Sequence, residues 1–175
     1  MRPVKQGNLD ALCGVYAVVN ALEQVGVVGR RSTLHRGLFE KLVLSMTPHQ
    51  VRSSLICGLE ADDLLSISRK AFRWMRSAHG IDLRMRRPFV DREFEGTSDY
   101  FATLRTQSES WCHAVIIGFD LPGGSHWTTV RLIEGRRLYV RDSGRLTHLD
   151  LRRFELTGGR YRFLTADTLV IQRRP

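Results

Sequence analysis

The sequence predicts an α+β fold, and three observations carry that expectation. Apolar residues recur at helical spacing through the first hundred or so positions. Beyond residue 112 they fall into short β-rich runs broken by glycine and charged turns. Helical segments first and an antiparallel sheet second is the α+β order. There is no internal repeat, low-complexity stretch or linker in the 175 residues. A chain of that length is enough to bury a real core, and one domain spanning residues 1–175 is expected.

The first helix is expected over residues 11–26. Leu12, Val15, Val19 and Leu22 form one stripe and Val18 and Val25 widen it, so this helix should be central and largely buried. Asn20 lies two turns beyond Cys13 on nearly the same face. Ser32 is placed to cap a second helix running to about Leu44. Thr47-Pro48 starts a short third one, since proline is tolerated in a first turn. A longer helix follows from about Glu60 to Ala78, stopped by Gly80, with Leu64, Ile67, Ala71, Trp74 and Met75 facing inward. Ile81–Met85 forms a short strand and residues 97–107 a helix. The remaining strands are expected at 112–119, 127–133, 137–142 and 168–173. Asp120–Ser125 lies between the first two of these as a flexible loop.

Composition narrows the setting. No run approaches the ~18 apolar residues of a membrane span. Met1-Arg2-Pro3-Val4-Lys5 has charge but no apolar stretch behind it, so no signal peptide is expected. Cys13, Cys57 and Cys112 are too few and too scattered for a disulfide framework or a zinc site. A reducing cytoplasm is the expected home, no metal or organic cofactor is called for, and Cys57 and Cys112 are expected in the core. The formal charge of +9 is carried almost entirely by arginine. A basic surface favours acidic partners. The arginines are dispersed along the chain and accompany no nucleic-acid-binding motif, so a solvated basic face is expected rather than a nucleic-acid site.

The chemistry centres on Cys13, in Leu9-Asp10-Ala11-Leu12-Cys13-Gly14-Val15-Tyr16-Ala17. A polar loop runs into an amphipathic helix there, with the thiol in the first turn. Unpaired backbone N–H groups and the positive end of the helix dipole both favour a thiolate, the reactive form. Asp10 is a candidate cap. Gln6, just upstream, is placed to donate to an oxyanion beside the Cys13 N–H. A small buried hydrophobe is an equally good account of this segment taken alone.

A cysteine nucleophile needs a base, and the base needs an orienting group. Ser125-His126-Trp127-Thr128-Thr129-Val130 and Tyr139-Val140-Arg141-Asp142-Ser143 read as two strands joined at Glu134-Gly135. His126 opens one strand and Asp142 closes the next, so a hairpin sets them side by side. Trp127, alternating with His126, should point to the other face and into the core, and Tyr139 and Val140 should pack in the sheet. His113 is the rival base. The residue as far beyond it as Asp142 is beyond His126 is Thr129, inside a strand, which makes His113 the poorer fit. His35, His49, His79 and His148 have no partner pattern and are expected at the surface.

Gln6, the Leu12–Ala17 segment, the Ser125–Val130 segment and the Tyr139–Ser143 segment, in that order, resemble the papain-like cysteine peptidases. Within them the pattern is most similar to bacterial leader-processing members. The resemblance implies a helix carrying the thiol packed on an antiparallel sheet carrying the other two groups. It also implies Cys13 as nucleophile, His126 as base and then acid, Asp142 as orienter and Gln6 as oxyanion donor. A protein or peptide substrate follows, favoured by charge to be acidic, with peptide or isopeptide bonds as targets. A thiol-dependent deamidase or transglutaminase-like acyltransferase would use the same groups. A binding module with a merely buried thiol is the non-enzymatic alternative. Residues 30–105 carry no signature of the family, and substrate choice is left to them.

Overall fold

The computed structural model describes residues 11–30, 32–144 and 146–174. Four helices come first: α1 (Cys13–Gln24), α2 (Thr33–Leu44), α3 (Pro48–Ile56) and α4 (Ala61–His79). Strand β1 (Leu83–Arg86) and helix α5 (Thr97–Ser108) follow. The rest is strand: β2 (His113–Leu121), β3 (Gly124–Glu134), β4 (Arg137–Arg141), β5 (His148–Asp150) and, after a 3-10 turn at Leu151–Arg153, β6 (Arg162–Arg173). The sheet order is β1-β6-β2-β3-β4-β5, and every pairing is antiparallel. The architecture is α+β.

The core lies on both faces of this sheet. Ala114 and Ile116 of β2 join the cluster built on α1, α2 and α4. Their neighbours Val115, Ile117 and Phe119 join a second cluster with Tyr100, Phe101 and Leu104 of α5. A strand covered on both sides has no polar face, hence the unbroken apolar run Ala114–Ile117.

Helix α1 is the pivot. Val15, Val18, Val19, Ala21 and Leu22 are fully buried, as the doubled stripe predicts. Three polar ties fix it to the sheet. The Thr129 hydroxyl donates to the Ala17 carbonyl at 2.8 Å. The Gln24 amide donates to the Val130 carbonyl at 3.0 Å. Arg141 and Glu23 form a buried ion pair at 3.3 Å. A buried pair of that kind adds little net stability, but removing one partner strands the other charge.

Local signals account for the helix starts. Ser32 Oγ accepts from the His35 N–H at 3.1 Å. Thr47 and Gln50 form a reciprocal capping box with Pro48 in the first turn. Gly80 closes α4 in the left-handed conformation at φ 66°.

Several expectations are corrected. Asp120–Ser125 is no flexible loop: β2 runs on to Leu121, β3 starts at Gly124, and Asp120 pairs with Ser125 across a Pro122-Gly123 turn. That turn is tied down, with the Ser125 hydroxyl donating to Asp120 at 2.6 Å and Arg162 bonding the same carboxylate. The β3–β4 turn is Gly135-Arg136 rather than Glu134-Gly135, with Gly135 at φ 55°. The last strand begins at Arg162, and β5 was not foreseen. Cys57 is exposed and Cys112 half-buried, not core: Cys57 caps α3 and Cys112 precedes β2 rather than lying in it. His35 is buried rather than at the surface, because α2 turns it inward. Burial lowers its pKa, against the opposing pull of Glu23.

Candidate active site

Cys13 is the first residue of α1, and it is 5% exposed. Leu12 flanks the helix without a side-chain cap bond, while Asp10 and Gln6 lie outside the described residues. The chain entering the helix is anchored to α3, where the Ala11 N–H donates to the Ser54 carbonyl at 3.0 Å. The next residue has to be small. A Cβ on Gly14 would meet the Leu64 methyls of α4 at 2.8 Å, and Leu64 is fully buried. Gly14 therefore lets α4 press directly against the turn that holds the thiol.

His126 is the third residue of β3, and Asp142 follows the last residue of β4. Since Thr129 pairs with Arg141, the hairpin carries both to the same end. The Nε2–H of His126 donates to Asp142 Oδ1 at 2.6 Å. Cys13 shares a cavity with His126 and helps raise its pKa, while its thiol donates to the Ala11 carbonyl at 3.9 Å. With Nε2 engaged by the carboxylate, Nδ1 is the atom left for the thiol. The Phe119 ring stands edge-on to the imidazole, centroids 5.5 Å apart, and limits how it can turn.

Asp142 is held from several sides. Its side chain is 1% exposed. Oδ2 accepts the Gly144 N–H at 2.7 Å, and Thr128, whose hydroxyl donates to the Arg141 carbonyl at 3.3 Å, also helps lower the Asp142 pKa. Burial by itself would raise its pKa, but these hydrogen bonds and the imidazole outweigh burial and keep it below the ordinary carboxylate range. The same contest runs at His126. Burial pulls its pKa down, while hydrogen bonds and charge at Asp142 and Cys13 pull harder and raise it to about 9. At neutral pH the imidazole is thus an imidazolium between a carboxylate and a sulfur.

The histidine that competed for this role is elsewhere. His113 starts β2, six residues before the Phe119 that pairs with His126. At strand rise that is about 20 Å along the sheet. Trp127 points into the helical core, as its alternation with His126 predicts, and donates its indole N–H to the Leu59 carbonyl at 2.8 Å.

Cys13 and His126 open on a cavity of about 300 Å³. Gly118 and Trp127 of the sheet line one part. His49 and Ser53 of α3, Cys57 to Glu60 of the following loop, Asp63 of α4 and Asp167 of β6 line much of the rest. The segment 30–105, blank at the level of motifs, therefore supplies a large share of the wall. Asp63 is oriented by the Gln50 amide at 2.7 Å, and Asp167 faces Arg87 at 3.3 Å. Burial, countered by Arg87, raises the Asp167 pKa. None of these wall residues stands in a short recognisable pattern. The Thr47-Pro48 start that placed α3 and the helical periodicity that placed α4 are the sequence signals that pointed toward them.

The structure thus brings Cys13, His126 and Asp142 together. Among the described residues no three His, Cys, Asp or Glu side chains are grouped to hold a metal ion. No described helix is long and apolar enough to cross a membrane. No family model matches the chain, and no curated protein matches its sequence.

Proposed function

We propose that this chain is a papain-like cysteine peptidase that cleaves peptide or isopeptide bonds through Cys13, His126 and Asp142, working in a reducing cytoplasm. The observation that carries the reading is the position of His126. It is hydrogen-bonded to a buried carboxylate and shares a cavity with a thiol at a helix start that raises its pKa. A structural histidine has no need of both, and the two together produce the imidazolium that a thiolate nucleophile requires as its partner.

Each step follows from that pair. Cys13 sulfur attacks the substrate carbonyl carbon, and the C=O electron pair moves onto oxygen. The Cys13 N–H faces that oxyanion, with Gln6 assigned as the second donor on the resemblance of its segment. The intermediate collapses, the C–N bond breaks, and His126 gives its proton to the leaving amine. Water then loses a proton to His126 and attacks the thioester. The acid departs, and His126 and Cys13 regain their starting forms. Asp142 stays ionised throughout and holds the imidazole by Nε2 so that Nδ1 faces sulfur.

The test is a digest of a diverse peptide mixture by the wild-type protein and by Cys13→Ala, read by mass spectrometry. Paired fragments with new termini that appear with wild type and vanish with Cys13→Ala are expected. Products one dalton heavier and uncleaved would assign the site to deamidation instead.

A further inference from the structure

The cavity at Cys13 is not the largest in the molecule. A groove of about 730 Å³ runs between α4 and β1. Every residue from Asp82 to Arg87 lines it. Leu83 and Met85 point to one face of the strand and are buried, while Arg84 on the other face is exposed. Residues of both pleat faces line the groove, so it follows the edge of β1 rather than either face. Among the described residues that edge is open: β1 is the end strand of the sheet and pairs with β6 alone. The Arg174 N–H donates to the Asp82 carbonyl. By antiparallel alternation, Arg84 and Arg86 bond toward β6, and the N–H and C=O of Leu83 and Met85 face the groove.

The other wall is basic. Arg69, Arg73 and Arg76 recur on one exposed face of α4 at helical spacing and line the groove. Arg84, Arg86 and Arg87 line it from the β1 side, against two carboxylates, Asp62 and Asp82. Charges that are scattered along the sequence are gathered here in space. From Asp62 to Arg76 the helix is about 21 Å long, the reach of about six extended residues.

We infer that this groove binds an extended acidic segment of polypeptide as an added strand beside β1. Open backbone groups supply strand pairing, and the arginines supply the complementary charge. The same arginines that repel a second copy of this basic edge attract an acidic one. A single-stranded nucleic acid would need aromatic stacking platforms, and the one aromatic side chain lining the groove, Phe72, is buried. The groove also borders the cavity at Cys13. Arg87 lines the groove and bonds Asp62 at 2.9 Å on one side and Asp167, which lines that cavity, at 3.3 Å on the other. On the peptidase reading, which this part of the inference rests on, an acidic stretch held along β1 presents the neighbouring part of the same chain to Cys13.

The test is fluorescence anisotropy of the full chain carrying Cys13→Ala with a labelled peptide of alternating glutamate and valine, about six residues long. Expected is saturable binding that weakens with salt, falls about tenfold or more in Arg73→Glu/Arg76→Glu, and is retained in Arg73→Lys. Peptide N-methylated on alternate residues should lose affinity, since its strand pairing is blocked. Three results would overturn the inference: no binding by the parent protein at low salt, equal binding of the N-methylated peptide, or tighter arginine-dependent binding of single-stranded DNA. Circular dichroism of each variant checks that it is folded. Alkylation of Cys13, measured in the protein that retains it, separates the two claims. Peptide that fails to bind beside a His126-dependent reactive Cys13 overturns the groove alone. Peptide that binds beside an inert Cys13 overturns the peptidase reading and leaves the groove standing.

Discussion

At the scale of single residues, the account turns on where a proton sits. His126 keeps its proton to about pH 9 because Asp142 and Cys13 outweigh the effect of burial. Asp142→Asn removes the larger of those supports. NMR titration of the His126 ring should give a midpoint near 9 in the wild type, moving down toward 6.5 in Asp142→Asn. On the proposed mechanism, turnover should lose its alkaline limb around pH 9, and Asp142→Asn should cost about 10²–10⁴ in rate. A ring that titrates near 6.5 in the wild type would remove the electrostatic basis for the pair. The sign of the linked stability follows. His126 has a folded pKa raised above its unfolded value, so its contribution is complete below about pH 6.5 and is lost as pH rises through about 9. Asp142, lowered in the fold, contributes above its unfolded pKa and loses that contribution as acid protonates it. Urea unfolding at about pH 6 should therefore separate wild type from Asp142→Asn by up to about 3 kcal/mol. By about pH 10 that gap should narrow.

At the scale of elements, the placement of Cys13 depends on how closely α4 approaches the first turn of α1. Gly14→Ala sets a methyl against the methyls of fully buried Leu64, which must shift to admit it. A loss of about 1–3 kcal/mol is expected in urea unfolding, together with slower alkylation of Cys13, because the added bulk pushes the turn off its seat. Unchanged stability would mean that Leu64 repacks freely. The elements themselves were legible wherever local chemistry is decisive. The doubled apolar stripe marked α1 as central, Thr47-Pro48 marked α3, and Gly80 marked the end of α4. The pairing of His126 with Asp142 was legible because a hairpin brings its two open ends together whatever the rest of the chain does. Other features depend on contacts distant in sequence. β5 is three residues long and exists because β4 offers it an edge. Asp120–Ser125 looks like a loop by composition, yet Arg162 and Ser125 lock it into a hairpin end. His35 reads as a surface residue until α2 turns it into the core. Cys57 and Cys112 were misplaced because a thiol carries no periodicity of its own at the end of an element.

At the scale of the whole molecule, the two cavities share a wall through Arg87 and Asp167, and α4 contributes to both. Its first turn supplies Asp63 to the cavity at Cys13, and its body supplies arginines to the groove along β1. Charge reversal at Arg73 and Arg76 should leave the intrinsic reactivity of Cys13 unchanged, since neither side chain lines its cavity. The central claim is that Cys13 and His126 act as one unit, and site-resolved alkylation tests it most directly. The rate of iodoacetamide labelling at Cys13, Cys57 and Cys112 would be followed by mass spectrometry from about pH 5 to 9, in the wild type and in His126→Ala. The account predicts that Cys13, though buried, reacts faster at about pH 6 than exposed Cys57, and that His126→Ala abolishes the advantage. A Cys13 no faster than Cys57 at that pH, or one whose rate is the same without His126, would contradict it.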